Sequence, residues 1–216
     1  MTAILTQTPP LYPSPRPPSQ QRRDTILAVA HQVFLEHGYE AASMSQIAAR
    51  LGGSKGTLYS YFDNKAALFA ALVAESCARN SAAIFAIPDD THGDAALLAI
   101  ARAYIALVTS AWATRMFQII AAEAQRWPEL ASIFFEAGPA AAAAQLSRHL
   151  AENAAADGLV IPDSDAAAQI FLTLCRGSLH MRRILGLAAE PDAATVDQQA
   201  ARAVTAFRKL YAGLAA

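Results

Sequence analysis

Between Ser43 and Lys65 the chain carries side chains suited to gripping a polyanion rather than to breaking a bond. Tyr59 and Tyr61 can each offer a phenolic hydroxyl to a phosphate oxygen, and Lys65 offers a compact positive charge. Ahead of them, Ser54, Lys55, Gly56 and Thr57 are small or polar, as required of residues that approach base edges. Ser43 and Gln46 stand three apart, the spacing of a capping box. No acid, base and nucleophile can be assembled into a convergent set, so an enzyme is not expected.

These residues need helices to present them. Ile26, Leu27, Ala30, Val33 and Phe34 repeat at i, i+3/i+4 and i+7 in a helix that starts near Arg22 and closes at His37-Gly38. The Ser43-x-x-Gln46 box opens a short helix that buries Ile47, Ala48 and Leu51 before Gly52-Gly53 breaks it. Ser54 caps a second short helix over 55–61, and Asn64 caps a long one running from Lys65 to about Phe85. Two short helices joined by a glycine turn at 52–54 are a helix-turn-helix by size and punctuation, with the positive end of the second helix's dipole favouring phosphate.

The rest of the chain agrees with an all-α protein. Hydrophobic residues are 54% and charged residues 16%, which excludes extensive disorder; much of the apolar share is alanine, a helix former. Periodicity predicts further helices at about 94–109, 112–124, 127–137, 138–157, 164–186 and 193–213, with prolines and Gly158 as punctuation. The net charge is −1, divided into +2 through Lys65 and −3 beyond it, a mildly basic head on an acidic body. Residues 1–20 hold six prolines and read as a flexible arm, with a groove-binding arm carrying Arg16, Arg22 and Arg23 as the alternative. They lack the pattern of a signal peptide, and no uninterrupted apolar run reaches membrane-spanning length. Cys77 and Cys175, both in apolar helical pattern, fit a reducing cytoplasm.

The stretch from Ile26 to Leu72, above all Ile47-Ala48-Ala49-Arg50-Leu51-Gly52-Gly53-Ser54-Lys55-Gly56-Thr57-Leu58-Tyr59-Ser60-Tyr61-Phe62-x-x-Lys65-x-x-Leu68, resembles the TetR family of repressors. The resemblance implies a helix-turn-helix DNA-binding domain over 21–66 and a helical ligand-binding and dimerisation domain over 67–216. It makes Ser43, Gln46, Ser54, Lys55, Thr57, Tyr59, Tyr61 and Lys65 the DNA contacts, and Ala48, Leu58, Phe62 and Leu68 core. Two positions depart from the family. Gly53 stands where a valine or similar residue usually packs between the two helices, and Ala66 stands where an acid usually follows the lysine. Neither removes an implied DNA contact.

A second resemblance lies in Glu123-Ala-Gln-Arg126-Trp-Pro-Glu-Leu130 and Phe134-Phe-Glu-Ala-Gly138-Pro139, which is similar to the C-terminal half of AefR-like members. It implies a homodimer through the last two long helices, about 164–186 and 193–213. The expected partners are a double-stranded operator, a second copy of the chain and an unidentified small effector. The expected function is repression of a palindromic operator, relieved by a largely apolar ligand, with no cofactor and no membrane association. Most C-terminal aromatics are expected in the core, with Trp112, Phe117, Phe171 and Cys175 as the pocket candidates. His149 and His180 are isolated, and Asp89-Asp90-x-His92-x-Asp94 reads as a solvated turn and cap rather than a metal site. A ligand-binding module that has lost DNA binding is the rival reading, and its marker would be a degraded recognition helix.

Overall fold

The computed structural model describes residues 18–88 and 90–212. Residues 1–17, which hold most of the proline-rich arm, and Asp89 of the acidic loop lie outside the described residues.

The head is built by local capping. Helix α1 (Pro18–Ala41) buries Ile26, Leu27, Ala30, Val33 and Phe34 along one face, and Gly38, at φ 76°, breaks it where the pattern ends. Helix α2 (Met44–Arg50) starts on a complete capping box: Gln46 N donates to Ser43 Oγ at 3.2 Å and Ser43 N donates to Gln46 Oε1 at 2.8 Å. Helix α3 (Lys55–Tyr59) is capped by Ser54 Oγ, which accepts from Thr57 N at 3.2 Å. Helix α4 (Lys65–Ile84) is capped by Asn64 Oδ1, which accepts from Ala67 N at 2.8 Å. Each cap satisfies an amide that the first helical turn would otherwise leave unpaired.

The body consists of α5 (Gly93–Thr109), α6 (Ala111–Glu123), α7 (Pro128–Phe135), α8 (Ala141–Asn153), α9 (Ser164–Ile184) and α10 (Ala193–Tyr211). Among the described residues there is no strand, only a single bridge between Leu159 and Ala212. The expected helix break at Gly138-Pro139 is absent. Residues Glu136–Ala140 form a π-helical turn that links α7 directly to α8. The wider turn accommodates Pro139, which lacks an N–H and would crowd an α-helical carbonyl.

The side chains form two cores. One joins α1–α4 with Met116, Ile119 and Ile120 of α6 and Leu130 of α7. The other gathers Ile84 with α5, α8, α9 and α10 around Phe171 and Phe207, whose rings meet at 5.0 Å. Helix α4 contributes to both. Helix α9 is bent at Gly177 (φ 47°, ψ −144°), and Gln199 Nε2 of α10 donates to the Leu174 carbonyl beside the bend at 2.8 Å.

Candidate nucleic-acid interface and ligand cavity

Helix α3 is held from one side only. Leu58 is buried at 1% exposure, while Ser54, Lys55, Gly56, Thr57, Tyr59 and Ser60 are all exposed, Tyr59 at 48%. A single apolar anchor thus docks the helix and leaves its polar residues in solvent. Phe62, buried just beyond it, is covered by the Arg23 guanidinium at 5.6 Å, and Arg23 Nη1 pairs with Glu75 at 2.8 Å. Tyr61 is half-buried.

The other candidates are placed unequally. Ser43 and Gln46 are committed to the α2 capping box, leaving Gln46 Nε2 with no hydrogen-bond partner among the described residues. Ser54 Oγ serves Thr57 N and also lies 3.1 Å from Thr57 Oγ1. Lys65 differs most from its expected role as a phosphate contact. Its Nζ donates to the carbonyls of Tyr39 (2.7 Å), Glu40 (3.1 Å) and Ala42 (3.1 Å), and it sits 4.4 Å from the centre of the Tyr39 ring. The ammonium therefore closes the C-terminal end of α1, where helix carbonyls lack partners. Burial lowers the Lys65 pKa, and the Glu123 carboxylate opposes the shift.

The body holds an apolar cavity of about 90 Å³ between α4, α5, α6 and the α7–α8 helix. Trp112 lines it, with Cys77, Ser81 and Ile84 from α4, Tyr104, Leu107 and Val108 from α5, and Phe134, Gly138 and Pro139. Ser81 Oγ is buried with no hydrogen-bond partner among the described residues, an uncommon and costly state. The other three pocket candidates do not line this cavity. Phe117 lies behind it, its ring 6.3 Å from Phe134 and 5.7 Å from His180. Phe171 and Cys175 are fully buried in the second core, because their stripe on α9 faces α5 and α10. Burial pushes the Cys175 thiol up to about 12 and that of Cys77 up to about 11. Cys77 and Ser81, which sequence reasoning did not single out, are one helical turn apart, but their stripe is that of any core helix. Trp112 also touches the head: its ring meets His31 of α1 at 6.1 Å, edge on. Burial lowers the His31 pKa, with Arg79 adding to the shift.

Among the described residues no cluster of His, Cys, Asp or Glu could hold a metal ion, and no single helix is long and apolar enough to cross a membrane.

Comparison with known proteins agrees with this architecture. Residues 26–72 match the family described as bacterial regulatory proteins, tetR family. Residues 95–213 match the AefR-like transcriptional repressor, C-terminal domain. The chain belongs to the TetR family of transcriptional regulators. It is 34% identical to the flavonoid-responsive regulator FrrA, covering 91% of this chain and 100% of that one, with a TM-score of 0.76. It shares its fold with a TetR-family regulator from Mesorhizobium loti: TM-score 0.83, 22% identity, 92% and 100% of the two chains covered. Curated relatives match over short stretches of the chain. The transcriptional activator FasR of Mycolicibacterium smegmatis is 43% identical over 58 residues, covering 27% of this chain and 26% of that protein. The transcriptional repressor AcnR of Corynebacterium diphtheriae is 41% identical over 58 residues, covering 27% and 30%. The match therefore spans less than a third of the length of either. Both are transcriptional regulators rather than enzymes, as is the family.

Proposed function

We propose that the protein is a homodimeric repressor of a palindromic operator, released by a flat, largely apolar aromatic ligand. The observation that carries the reading is α3: one buried leucine docks it, and Ser54, Lys55, Thr57 and Tyr59, expected at base edges or phosphate, all stand in solvent. Ser54, Lys55, Thr57 and Tyr59 would contact DNA directly, with Ser43, Gln46 and Tyr61 at its margin. A recognition helix so preserved argues against a ligand-binding module that has lost its DNA.

Pairing of heads follows from the demands of a symmetric operator, whose half-sites lie about 34–36 Å apart or a multiple of the helical turn. Helices α9 and α10 leave Ile170, Met181 and Leu210 exposed, together with Leu185 and Leu187 just beyond α9. Burying that apolar surface on a second copy would supply the driving force.

The effector reading is supported by the cavity beside Trp112 and by the similarity to a regulator named as flavonoid-responsive. Aromatic and aliphatic walls suit a flat ring, and the unpartnered Ser81 hydroxyl suits a ligand hydroxyl or carbonyl. A flavonoid-sized molecule exceeds about 90 Å³, so entry requires the walls to part. The ligand would thereby favour one conformation over another, as any effector must. Trp112 and α4 both reach the head, so displaced walls would act on α1.

The test is selection of bound duplexes from a random pool, followed by competition with hydroxylated flavonoids. An inverted repeat released by such a ligand supports the reading. Salt-sensitive binding without any motif would replace it with the ligand-binding module.

A further inference from the structure

We infer that Arg22 is a contact to the DNA backbone, placed over the helix-turn-helix turn by the absence of a side chain at Gly53. The inference rests on the DNA-binding reading above. A β-carbon built on Gly53 would lie 3.1 Å from Arg22 Nη2. One nitrogen of the guanidinium therefore lies beside the turn between α2 and α3, where a side chain at 53 would press it aside by a few tenths of an ångström. The glycine has a conformational cost, since it loosens the turn in the unfolded chain. Room for a cation at this point is what the glycine gains.

The two neighbouring arginines have been given different tasks. Arg23 is committed inward, to Glu75 at 2.8 Å and to the face of Phe62. Arg22 has neither a hydrogen bond nor an ion pair among the described residues. Its guanidinium lies against a turn followed by four exposed residues, Ser54, Lys55, Gly56 and Thr57. With Lys65 turned toward the carbonyls at the end of α1 and Arg50 paired with Glu36 at 2.7 Å, Arg22 and Lys55 are the cations of the head left without an ion pair among the described residues. An arginine fork suits phosphate geometry, and a backbone contact fixes register without reading sequence. Arg22 thus adds affinity and salt dependence and leaves the choice of sequence to α3.

The test uses the full chain and a duplex selected by the wild-type protein from a random pool, titrated between about 50 and 200 mM salt. Each phosphate contact contributes about 0.9 to the slope of log affinity against log salt, or about 3.5-fold across that range. Arg22→Gln should weaken binding and reduce the slope by about 0.9 per bound protomer. It should select the same sequence as wild type, and Arg22→Lys should keep most of the slope. An unchanged slope in Arg22→Gln overturns the inference, as does a changed sequence preference, which would make Arg22 a base contact. Should Arg22→Gln unfold more readily, Arg22→Met serves instead: it keeps the length and helix preference of the side chain without its charge, and an unchanged slope again overturns the inference. If the wild-type protein binds no duplex, the DNA-binding reading fails and takes this inference with it; binding by wild type with no effect of either variant defeats the inference alone.

Discussion

The ammonium of Lys65, on the first turn of α4, donates at 2.7 Å to the carbonyl of Tyr39, just past the bend that ends the regular turns of α1. One side chain thus ties the helix that begins the head to the helix that leaves it. Two more carbonyls and the face of Tyr39 complete its surroundings.

Lys65→Ala should therefore lower stability by about 1.5 kcal/mol, the scale of a charge-assisted hydrogen bond. Operator affinity should fall with it while the salt slope stays unchanged, since no phosphate charge is lost. Thermal denaturation alongside a salt titration separates the two, and a fall in slope would return Lys65 to the DNA.

Tyr59→Phe removes only a hydroxyl from a residue that is 48% exposed. Stability should change by less than about 0.5 kcal/mol, as is usual for a surface site. Affinity for the selected duplex should nevertheless fall, and fluorescence anisotropy with labelled DNA would measure it. Equal affinity would remove Tyr59 from the contact set.

Gly177→Ala should destabilise the body by about 1–3 kcal/mol, because φ 47° with ψ −144° is a region that only glycine occupies freely. An added β-carbon would also stand 2.7 Å from Gln199 Nε2. Gln199→Ala relieves that clash but forfeits the bond to Leu174, so the double variant should lose less than the sum of the singles. Urea denaturation of the four proteins closes the cycle.

Burial lowers the pKa values of His31, His149 and His180, the last with the Val108 carbonyl opposing the shift. The unfolded chain takes up protons near 6.5, while the folded chain resists until lower pH, so protonation between those points favours unfolding. The melting temperature should fall as pH drops from about 7.5 to about 5.5 and should do so less in His180→Gln. Carboxylates such as Glu36 and Asp192, whose pKa values are lowered by hydrogen bonds to Arg50 and Thr195, respond only below that window. A melting temperature independent of pH over the range would contradict the assignment.

Trp112 borders the cavity while Trp127, at the start of α7, is 38% exposed. In Trp127→Phe the remaining indole reports on the cavity alone. A hydroxylated flavonoid should change its emission with saturation, and Ser81→Ala should weaken that response. No saturable change would place any effector elsewhere.

Much of the head could be read directly from its residues, because its signals are local. Ser43 with Gln46, Ser54 with Thr57 and Asn64 with Ala67 each act over three residues, and such spacing is visible in any sequence. Alanine content and the 3.6-residue stripes fixed an all-α chain in the same way. A stripe, however, says that a face is buried without saying against what. Phe171, Cys175 and Trp112 sit in comparable patterns, yet the packing of α9 onto α5 and α10 seals the first two in a core and leaves the third on a cavity. Pro139 punctuates the sequence but not the helix, since a π turn absorbs it where α7 and the following turn pack on α4. The inward task of Lys65 and the position of Arg22 over Gly53 depend on contacts spanning 26 and 31 residues. Such contacts leave no trace in local spacing; they exist only once helices that are distant in sequence have met.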